Sequence, residues 1–249
     1  MTNVFSHLRE DDRQRRPQTC ATPIRGRLRE KLIVFDFDGV IADSEMLANA
    51  VLAEIVTELG ASMTLDASLH AFMGKRFEEV VMAISATTGR SLEDCLALDI
   101  EARTIARFRS ELKEISGVRA YLDAFGDVKR CIASSSSPDR LAACLDILGL
   151  ADAFGPHVYS ASRVARGKPH PDIFLLASAH SDVAPTDAIV IEDSVNGIRA
   201  AVDAGMTAIG LLAASHIRPD DAERLHNAGA HHIAHTYREA EEITRRLLA

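Results

Sequence analysis

Two aspartates, Asp36 and Asp38, follow a short apolar run and precede Gly39. Two carboxylates this close repel each other unless a cation or a shared proton lies between them. A divalent metal such as Mg²⁺ prefers oxygen ligands, so the pair is a candidate metal site. Gly39 allows a sharp chain exit that a side chain would hinder. The alternative interpretation is a strand end followed by a turn rich in aspartate and glycine.

Three further segments combine polar side chains with an apolar run or a predicted helix. The four serines at 134–137 precede a predicted helix, where hydroxyls and backbone N–H groups suit an anion. Lys168 precedes Pro169 in a loop that prolines hold extended, so its charge can neutralise a phosphate. Glu192 and Asp193 follow a buried-looking run and can bind a metal. Each segment also has a structural alternative, namely helix N-capping or a solvated loop lysine.

The elements that must position these residues alternate between strand and helix patterns. Short apolar runs predict strands at 31–37, 128–134, 157–160, 188–192, 207–212 and 232–234. Helical spacing predicts helices at 138–148, 172–179, 195–204, 220–228 and 238–248. This alternation is typical of a parallel sheet flanked by helices. In such sheets ligands bind beyond the carboxyl ends of the strands, where the polar segments described above lie.

Residues 44 to about 114 contain only helical patterns, at 44–60, 66–72, 76–88 and 91–112. Because this block separates the first strand from the second, we expect an insertion into the sheet. The predicted fold class is therefore α/β, a Rossmann-like parallel-sheet core with an inserted all-helical cap domain. The predicted domains are a core at 30–44 and 115–249 and a cap at 45–114. Residues 1–29 predict a flexible tail, with a basic interaction arm as the alternative.

Composition excludes several classes of protein. The 249 residues are 47% hydrophobic and 26% charged, which is typical of a globular chain. The formal net charge of −8 lacks the basic footprint of a nucleic-acid-binding protein. No apolar run approaches the roughly 20 residues of a membrane span. The four cysteines are far apart, which favours a reducing, cytoplasmic location over a disulfide framework or a zinc site.

The polar segments together resemble the haloacid dehalogenase (HAD) superfamily, in its β-phosphoglucomutase and phosphoglycolate phosphatase-like subgroup. The resemblance runs from about residue 31 to the C-terminus. The motifs that carry the superfamily resemblance are DFDGV at 36–40, Ser134 after an apolar strand, Lys168 in GKPHPDIF and EDS at 192–194. Two longer stretches resemble the subgroup, namely DGVIADSE at 38–45 and EDSVNGIRAA at 192–201. That subgroup carries a helical cap inserted after the first motif, as the helical block is here.

The resemblance implies a role for both aspartates of the first motif. Asp36 is then the nucleophile that forms an aspartyl-phosphate. Asp38 is then the acid that protonates the leaving oxygen and the base that activates water. The true dehalogenases of the superfamily lack this second aspartate and use no metal, so Asp38 argues against their chemistry.

The resemblance also implies ligands for a metal and a phosphate. Mg²⁺ would bind Asp36, the backbone carbonyl of Asp38 and Asp193, with Glu192 bound directly or through water. The transferring phosphoryl oxygens would bind Ser134 and Lys168, aided by backbone N–H groups near Phe37 and Ser135.

The resemblance implies that the cap determines which substrate binds. The resemblance places Gly74, Lys75 and Arg76 in a loop that faces the site, where the two cations could bind an anionic group or sugar hydroxyls. Asn49 is a further candidate contact. The alternative is that Lys75 and Arg76 begin a helix and face solvent. Ser215 and His216 follow the fifth strand at the same edge of the sheet, without an assigned role.

The leading hypothesis is a Mg²⁺-dependent phosphatase of a small phosphorylated metabolite, namely a sugar, sugar-acid or polyol phosphate. β-Phosphoglucomutase-like enzymes carry a histidine early in the first cap helix, and the stretch 46–51 has none. That departure favours water as the phosphoryl acceptor over a phosphosugar mutase, which remains the alternative enzyme. A non-catalytic sugar-phosphate binder is the alternative from another class. We expect no nucleic-acid or membrane partner, and a monomer or homodimer.

Overall fold

One parallel sheet of six strands forms the centre of the molecule, with strand order β3-β2-β1-β4-β5-β6. The computed structural model describes residues 30–73, 75, 77–89 and 94–249. The strands are β1 (Leu32–Phe35), β2 (Lys129–Ser134), β3 (Val158–Ser160), β4 (Ala188–Glu192), β5 (Thr207–Leu211) and β6 (His232–Ala234). Because β2, β1 and β4 are neighbours, the segments that follow them meet at one edge of the sheet.

The central strand β1 is apolar throughout because helices cover both faces of the sheet. Its side chains alternate between two hydrophobic clusters. Ile33 and Phe35 lie in one cluster, whereas Leu32 and Val34 lie in the other. All four residues are at most 1% exposed. This burial on both faces holds the end of β1 rigidly, and the residues after Phe35 start from a fixed point.

Eleven α-helices are described. Five lie between β1 and β2, and the first four of these form the insertion: α1 (Glu45–Glu58), α2 (Leu65–Phe72), α3 (Phe77–Thr88) and α4 (Asp94–Glu111). The others are α5 (Val118–Ala124), α6 (Pro138–Leu148), α7 (Ala151–Phe154), α8 (Asp172–Ser181), α9 (Val195–Asp203), α10 (Asp221–Asn227) and α11 (Tyr237–Leu248).

The inserted helices α1–α4 have a hydrophobic cluster of their own, which includes Val51, Ile55, Phe72 and Ile84. Two chain segments connect these helices to the sheet, and the segments pair with each other. The Asp43 N–H donates to the Lys113 carbonyl at 2.9 Å, and the Ile115 N–H donates to the Ile41 carbonyl at 2.8 Å. The insertion is thus tied to the sheet by a short two-stranded connection close to the end of β1.

The parallel sheet with an all-helical insertion confirms the predicted fold class. The predicted bounds 138–148, 188–192 and 232–234 agree with α6, β4 and β6. The short helices α5 and α7 were not predicted. The division into core and cap at the predicted bounds stays a prediction, and the predicted tail at 1–29 lies outside the described residues. Within the described part of the chain, every helix is too short or too polar to cross a membrane.

Candidate active site

The first aspartate continues the sheet by one residue. The Asp36 N–H donates to the Ile191 carbonyl at 2.9 Å, which extends the pairing of β1 with β4 past Phe35. Asp36 is buried, and so are Ser134 at the end of β2 and Glu192 at the end of β4. The three predicted polar segments therefore meet where parallel-sheet geometry predicts, at the carboxyl ends of neighbouring strands.

Lys168 reaches this edge from the loop that follows β3. Its Nζ donates to Asp36 Oδ1 and to Glu192 Oε1, each at 2.6 Å. The Lys168 side chain is 5% exposed, and its ammonium lies 5.0 Å from the centre of the Phe174 ring. Burial lowers the pKa of Lys168, but the charges of Asp36 and Glu192 outweigh burial and raise it above the usual value. A fixed ammonium ion thus lies between two carboxylates.

Asp36, Glu192 and Asp193 form a buried cluster of carboxylates whose nearest oxygens all lie within 4.8 Å of one another. Burial raises the pKa of Asp36 well above its usual value; Lys168 opposes this shift, and Glu192 and Asp193 add to it. Burial also raises the pKa of Asp193. Three carboxylates against one ammonium leave an excess of negative charge that a bound cation would offset. The all-oxygen donor set suits a hard cation such as Mg²⁺.

Both carboxylate oxygens of Glu192 accept hydrogen bonds. Its Oε1 accepts from Lys168, and its Oε2 accepts from the backbone N–H and the hydroxyl of Ser194, each at 2.9 Å. A Cβ at Gly197 would come within 1.7 Å of Glu192 Oε1, so this carboxylate fits only against a glycine. Glu192 therefore positions Lys168, and its predicted part in metal binding stays a prediction.

Replacing Gly197 with alanine is expected to push the Glu192 carboxylate away from α9 and to disturb Lys168. Although alanine favours a helix, the close contact is expected to lower the free energy of unfolding by about 1–3 kcal/mol. Chemical denaturation measures this change. Gly126→Ala is the control, because a Cβ there meets its nearest atom at 3.5 Å. Equal stability of the two variants would contradict the tight fit of Glu192.

Asp38 is held by three donors. The hydroxyls of Ser44 and Ser136 each donate at 2.5 Å, and Arg140 donates from Nη2 at 2.8 Å. Burial raises the pKa of Asp38, but Arg140 and the two hydroxyls outweigh burial and lower it below the usual value. Asp38 is thus a carboxylate in this arrangement. Ser44 occupies the N-cap position of α1 but makes no capping bond with its side chain.

The serines at 134–137 lie partly at the site and partly at the start of α6. The Ser134 hydroxyl is buried and accepts from the Ser136 N–H at 3.1 Å. Ser137 caps α6, as N-capping predicts, by accepting from the Arg140 N–H at 3.2 Å. Ser134 and Ser135 both line the cavity above Asp36. The first two serines are therefore available to a ligand at the strand edge.

A cavity of about 420 Å³ lies between the sheet edge and the inserted helices. Of the predicted cap contacts, Lys75 lines this cavity and is exposed. Asn49 also lines it, but its amide donates to Glu45 at 3.0 Å and accepts from Ser68 at 3.1 Å, within the helical insertion. The predicted contacts Gly74 and Arg76 lie outside the described residues. The cavity is large enough for a small metabolite.

Sequence reasoning missed Arg140, Glu45 and the partner of His216. Arg140 lies in the first turn of α6, and its position after the serine run was the available signal. Burial and the charge of Asp38 raise the pKa of Glu45 to about 7. His216 Nε2 lies 3.2 Å from Asp193 Oδ2. These contacts join residues far apart in sequence, so spacing alone does not reveal them.

Several known proteins are similar to this chain. The 6-phosphogluconate phosphatase of Escherichia coli (strain K12) is 27% identical over 192 residues, which span 77% of this chain and 86% of that protein. Hexitol phosphatase B of the same organism is 30% identical over 185 residues, 71% of this chain and 81% of that protein. A crystal structure of a HAD family hydrolase from Deinococcus radiodurans R1, with bound phosphate and sodium, is 31% identical, with a TM-score of 0.71 over 89% of this chain and 97% of that one.

The sequence pattern of one family covers most of the chain. A model of haloacid dehalogenase-like hydrolases matches residues 30–205, from the start of the described core to beyond α9. The match includes every residue of the carboxylate cluster and Lys168, and it spans the helical insertion. The predicted family is thus confirmed, and the chain belongs to the haloacid dehalogenase-like hydrolases.

Proposed function

We propose that this hydrolase is a Mg²⁺-dependent phosphatase that acts on a small phosphorylated metabolite through an aspartyl-phosphate on Asp36. The observation that carries the proposal is the position of the Asp36 carboxylate. It lies at the floor of a metabolite-sized cavity, 2.6 Å from the Lys168 ammonium and beside Asp193. A nucleophile, a cation and an oxygen-ligand set thus converge on the space that a phosphate would occupy.

In the first step, an Asp36 oxygen attacks phosphorus, and the bond from phosphorus to the substrate oxygen breaks. The leaving oxygen takes a proton from Asp38, which enters this step in its protonated form, the form in which the second step leaves it. In the second step, Asp38 accepts a proton from water, whose oxygen attacks the same phosphorus and releases phosphate and free Asp36. The hydrogen bonds from Arg140, Ser44 and Ser136 favour the ionised form of Asp38, which is the form that the second step needs.

The phosphoryl oxygens would bind at the strand ends. Lys168 supplies an ammonium, and Ser134 supplies a hydroxyl at the end of β2. The backbone N–H of Ser135 lies in the segment before α6, where N–H groups are suited to an anion. These groups gain most when charge develops on the transferring group. Lys168 is held in place by Glu192, so little reorganisation is needed when the phosphate arrives.

The residues for Mg²⁺ are Asp36, Asp193 and the backbone carbonyl of Asp38, with Glu192 acting directly or through water. When bound, Mg²⁺ supplies positive charge that reduces repulsion between the Asp36 carboxylate and the phosphate. The buried excess of negative charge and the all-oxygen donor set support this choice.

Substrate choice is proposed to depend on the residues of the inserted helices that line the cavity. Lys75 and Asn49 line it, and Gly74 and Arg76 stay predicted substrate contacts. The relatives named for 6-phosphogluconate and hexitol substrates support a sugar, sugar-acid or polyol phosphate. A cavity with both charged and hydroxyl-bearing side chains is suited to polyhydroxylated molecules.

The proposal predicts release of inorganic phosphate from at least one member of a panel of sugar, sugar-acid and polyol phosphates in the presence of Mg²⁺. Chelation with EDTA is expected to abolish release, and excess Mg²⁺ is expected to restore it. A colorimetric phosphate assay measures both effects. Mg²⁺ is also expected to raise the melting temperature, because a cation that binds only the folded state stabilises that state.

Three outcomes would count against parts of this proposal. Isomerised sugar phosphate without free phosphate would identify a mutase instead. Full activity in EDTA would remove the metal from the mechanism. If no substrate of the panel releases phosphate although Mg²⁺ binds, the chain would be better described as a non-catalytic sugar-phosphate binder.

A further inference from the structure

His216 is a buried histidine that contacts the carboxylate cluster from a loop outside the motif segments. It follows β5, and its side chain is 4% exposed. Its Nε2 lies 3.2 Å from Oδ2 of Asp193, whose side chain is 6% exposed. In this geometry the imidazole donates from Nε2–H to the carboxylate.

The other ring nitrogen, Nδ1, is buried and has no hydrogen-bond partner within the described ranges. A buried polar atom without a partner destabilises the folded state, and an apolar side chain of similar size would avoid that penalty. Simple space-filling therefore does not explain a histidine at this position. The contact that distinguishes histidine from an apolar residue is the hydrogen bond to Asp193.

The imidazole and Asp193 are packed against the turn of the first motif. A Cβ at Gly39 would come within 1.7 Å of Asp193 Oδ2 and 2.8 Å of His216 Cε1. The absence of a side chain at Gly39 thus makes room for the pair. Because Asp193 is confined by His216 on one side and by the turn on another, its carboxylate has a fixed orientation beside Asp36.

The loop that carries His216 is anchored by bonds that do not involve the imidazole. The hydroxyl of Ser215 donates to Asp43 at 2.8 Å on one side. The Arg218 N–H donates to Asp221 at 2.8 Å, and its guanidinium donates to Asp66 of α2 at 2.8 Å. A substitution at His216 therefore removes the contact with Asp193 while the loop keeps its anchors.

We propose that His216 is a positioning residue for the metal centre, which holds Asp193 in the orientation that binds Mg²⁺. The role rests on the proposed metal-dependent function. Groups that hydrogen-bond to a metal ligand orient that ligand and raise its affinity for the ion. His216 acts only through Asp193 and has no part in the bonds that form or break.

The test is titration calorimetry of the full chain with Mg²⁺ alone, without substrate. His216→Phe is expected to weaken Mg²⁺ binding by about 10- to 100-fold. Its melting temperature without Mg²⁺ is expected to be lower, because the buried Asp193 carboxylate loses its hydrogen-bond donor, so the comparison of the two amide variants carries the test. His216→Gln places an N–H near the position of Nε2 and is expected to restore much of the affinity, whereas the shorter His216→Asn is not.

His231→Gln is the control, because His231 precedes β6 and therefore lies at the opposite edge of the sheet, where its Nδ1 accepts from the Ala208 N–H. Unchanged Mg²⁺ affinity in His216→Phe would overturn the role of His216 and leave the proposed function intact. The same holds if the glutamine and asparagine variants bind Mg²⁺ equally well. If the wild type itself binds no Mg²⁺, both the cofactor and this role are overturned.

Discussion

Asp36→Asn is expected to abolish turnover and to leave the fold intact. An amide oxygen cannot form the aspartyl-phosphate, and loss of a nucleophile typically lowers kcat by about 10⁴- to 10⁶-fold. The variant removes one of three carboxylates that share a single ammonium, so it relieves repulsion within the buried cluster. Its melting temperature is therefore expected to equal or exceed that of the wild type.

Rapid acid quenching followed by mass spectrometry of the whole protein tests this prediction directly. The wild type is expected to carry one extra phosphoryl group during turnover, and peptide mapping is expected to locate it at Asp36. Asp36→Asn is expected to carry none. Asp146→Asn, an exposed substitution on α6, is the control. Turnover by Asp36→Asn at a rate close to that of the wild type would assign the nucleophile to another residue.

The site residues predicted from sequence are those whose position depends only on where a strand ends. Asp36, Ser134 and Glu192 each end or follow an apolar run, and parallel strands bring such positions to one edge. Lys168 was predicted as a site residue from the resemblance and from its loop. Its hydrogen bonds of 2.6 Å to Asp36 and Glu192 are known only from the structure. Motif spacing thus identifies which residues lie at the carboxyl edge of the sheet, but not which charged side chains pair there.

The residues that sequence reasoning missed depend on contacts between distant segments. Arg140 lies 102 positions after Asp38, and its place after the serine run does not reveal that the two residues pair. His216 was noticed at the edge of the sheet, but its partner was not predictable. Ser44 lies at the N-cap position of α1, but its hydroxyl donates to Asp38 and accepts no capping bond, and the local sequence does not reveal this choice.

The fold was predictable where an apolar run or a helical spacing was clear. The runs that form β1, β4 and α6 gave nearly correct bounds. The short helices α5 and α7 were missed, and the four residues of α7 give too few turns for a helical period to emerge. The order of the strands came from the structure, since periodicity does not state which strands pair.

The net charge of the chain and the proposed metal-loaded site act in opposite ways on an anionic substrate. A net charge of −8 repels a phosphate at long range. The three carboxylates of the buried cluster outnumber the Lys168 ammonium, so attraction at the strand edge is expected only when the proposed Mg²⁺ offsets them. Lys168 is also buried, so solvent and salt screen its charge less than they screen surface charges. Phosphate binding is therefore expected to depend on both Mg²⁺ and the Lys168 ammonium.

Lys168→Met is accordingly expected to damage both stability and activity. The buried carboxylates of Asp36 and Glu192 lose their partner, and breaking a buried ion pair from one side costs about 3–5 kcal/mol in the free energy of unfolding. Loss of a preorganised donor to the phosphoryl group is expected to lower kcat by about 10²- to 10³-fold. Denaturant titration and phosphate release measure the two effects separately.

The stability loss is expected to depend on pH and on Mg²⁺ in defined directions. Without Lys168, the pKa of Asp36 in the folded state rises further above its unfolded value. The folded state then binds more protons, so the loss of stability shrinks as the pH falls and grows as it rises. Mg²⁺ is expected to recover part of the stability at neutral pH, because it supplies charge to the same carboxylates.

Lys31→Met is the matched control for this variant. Lys31 pairs with Asp187 at 2.9 Å, but its side chain is 33% exposed, so its loss is expected to cost no more than about 1 kcal/mol. A Lys168→Met variant as stable as Lys31→Met, with no response to pH or Mg²⁺, would mean that the buried carboxylates are not ionised. The excess negative charge from which the metal site is inferred would then not exist.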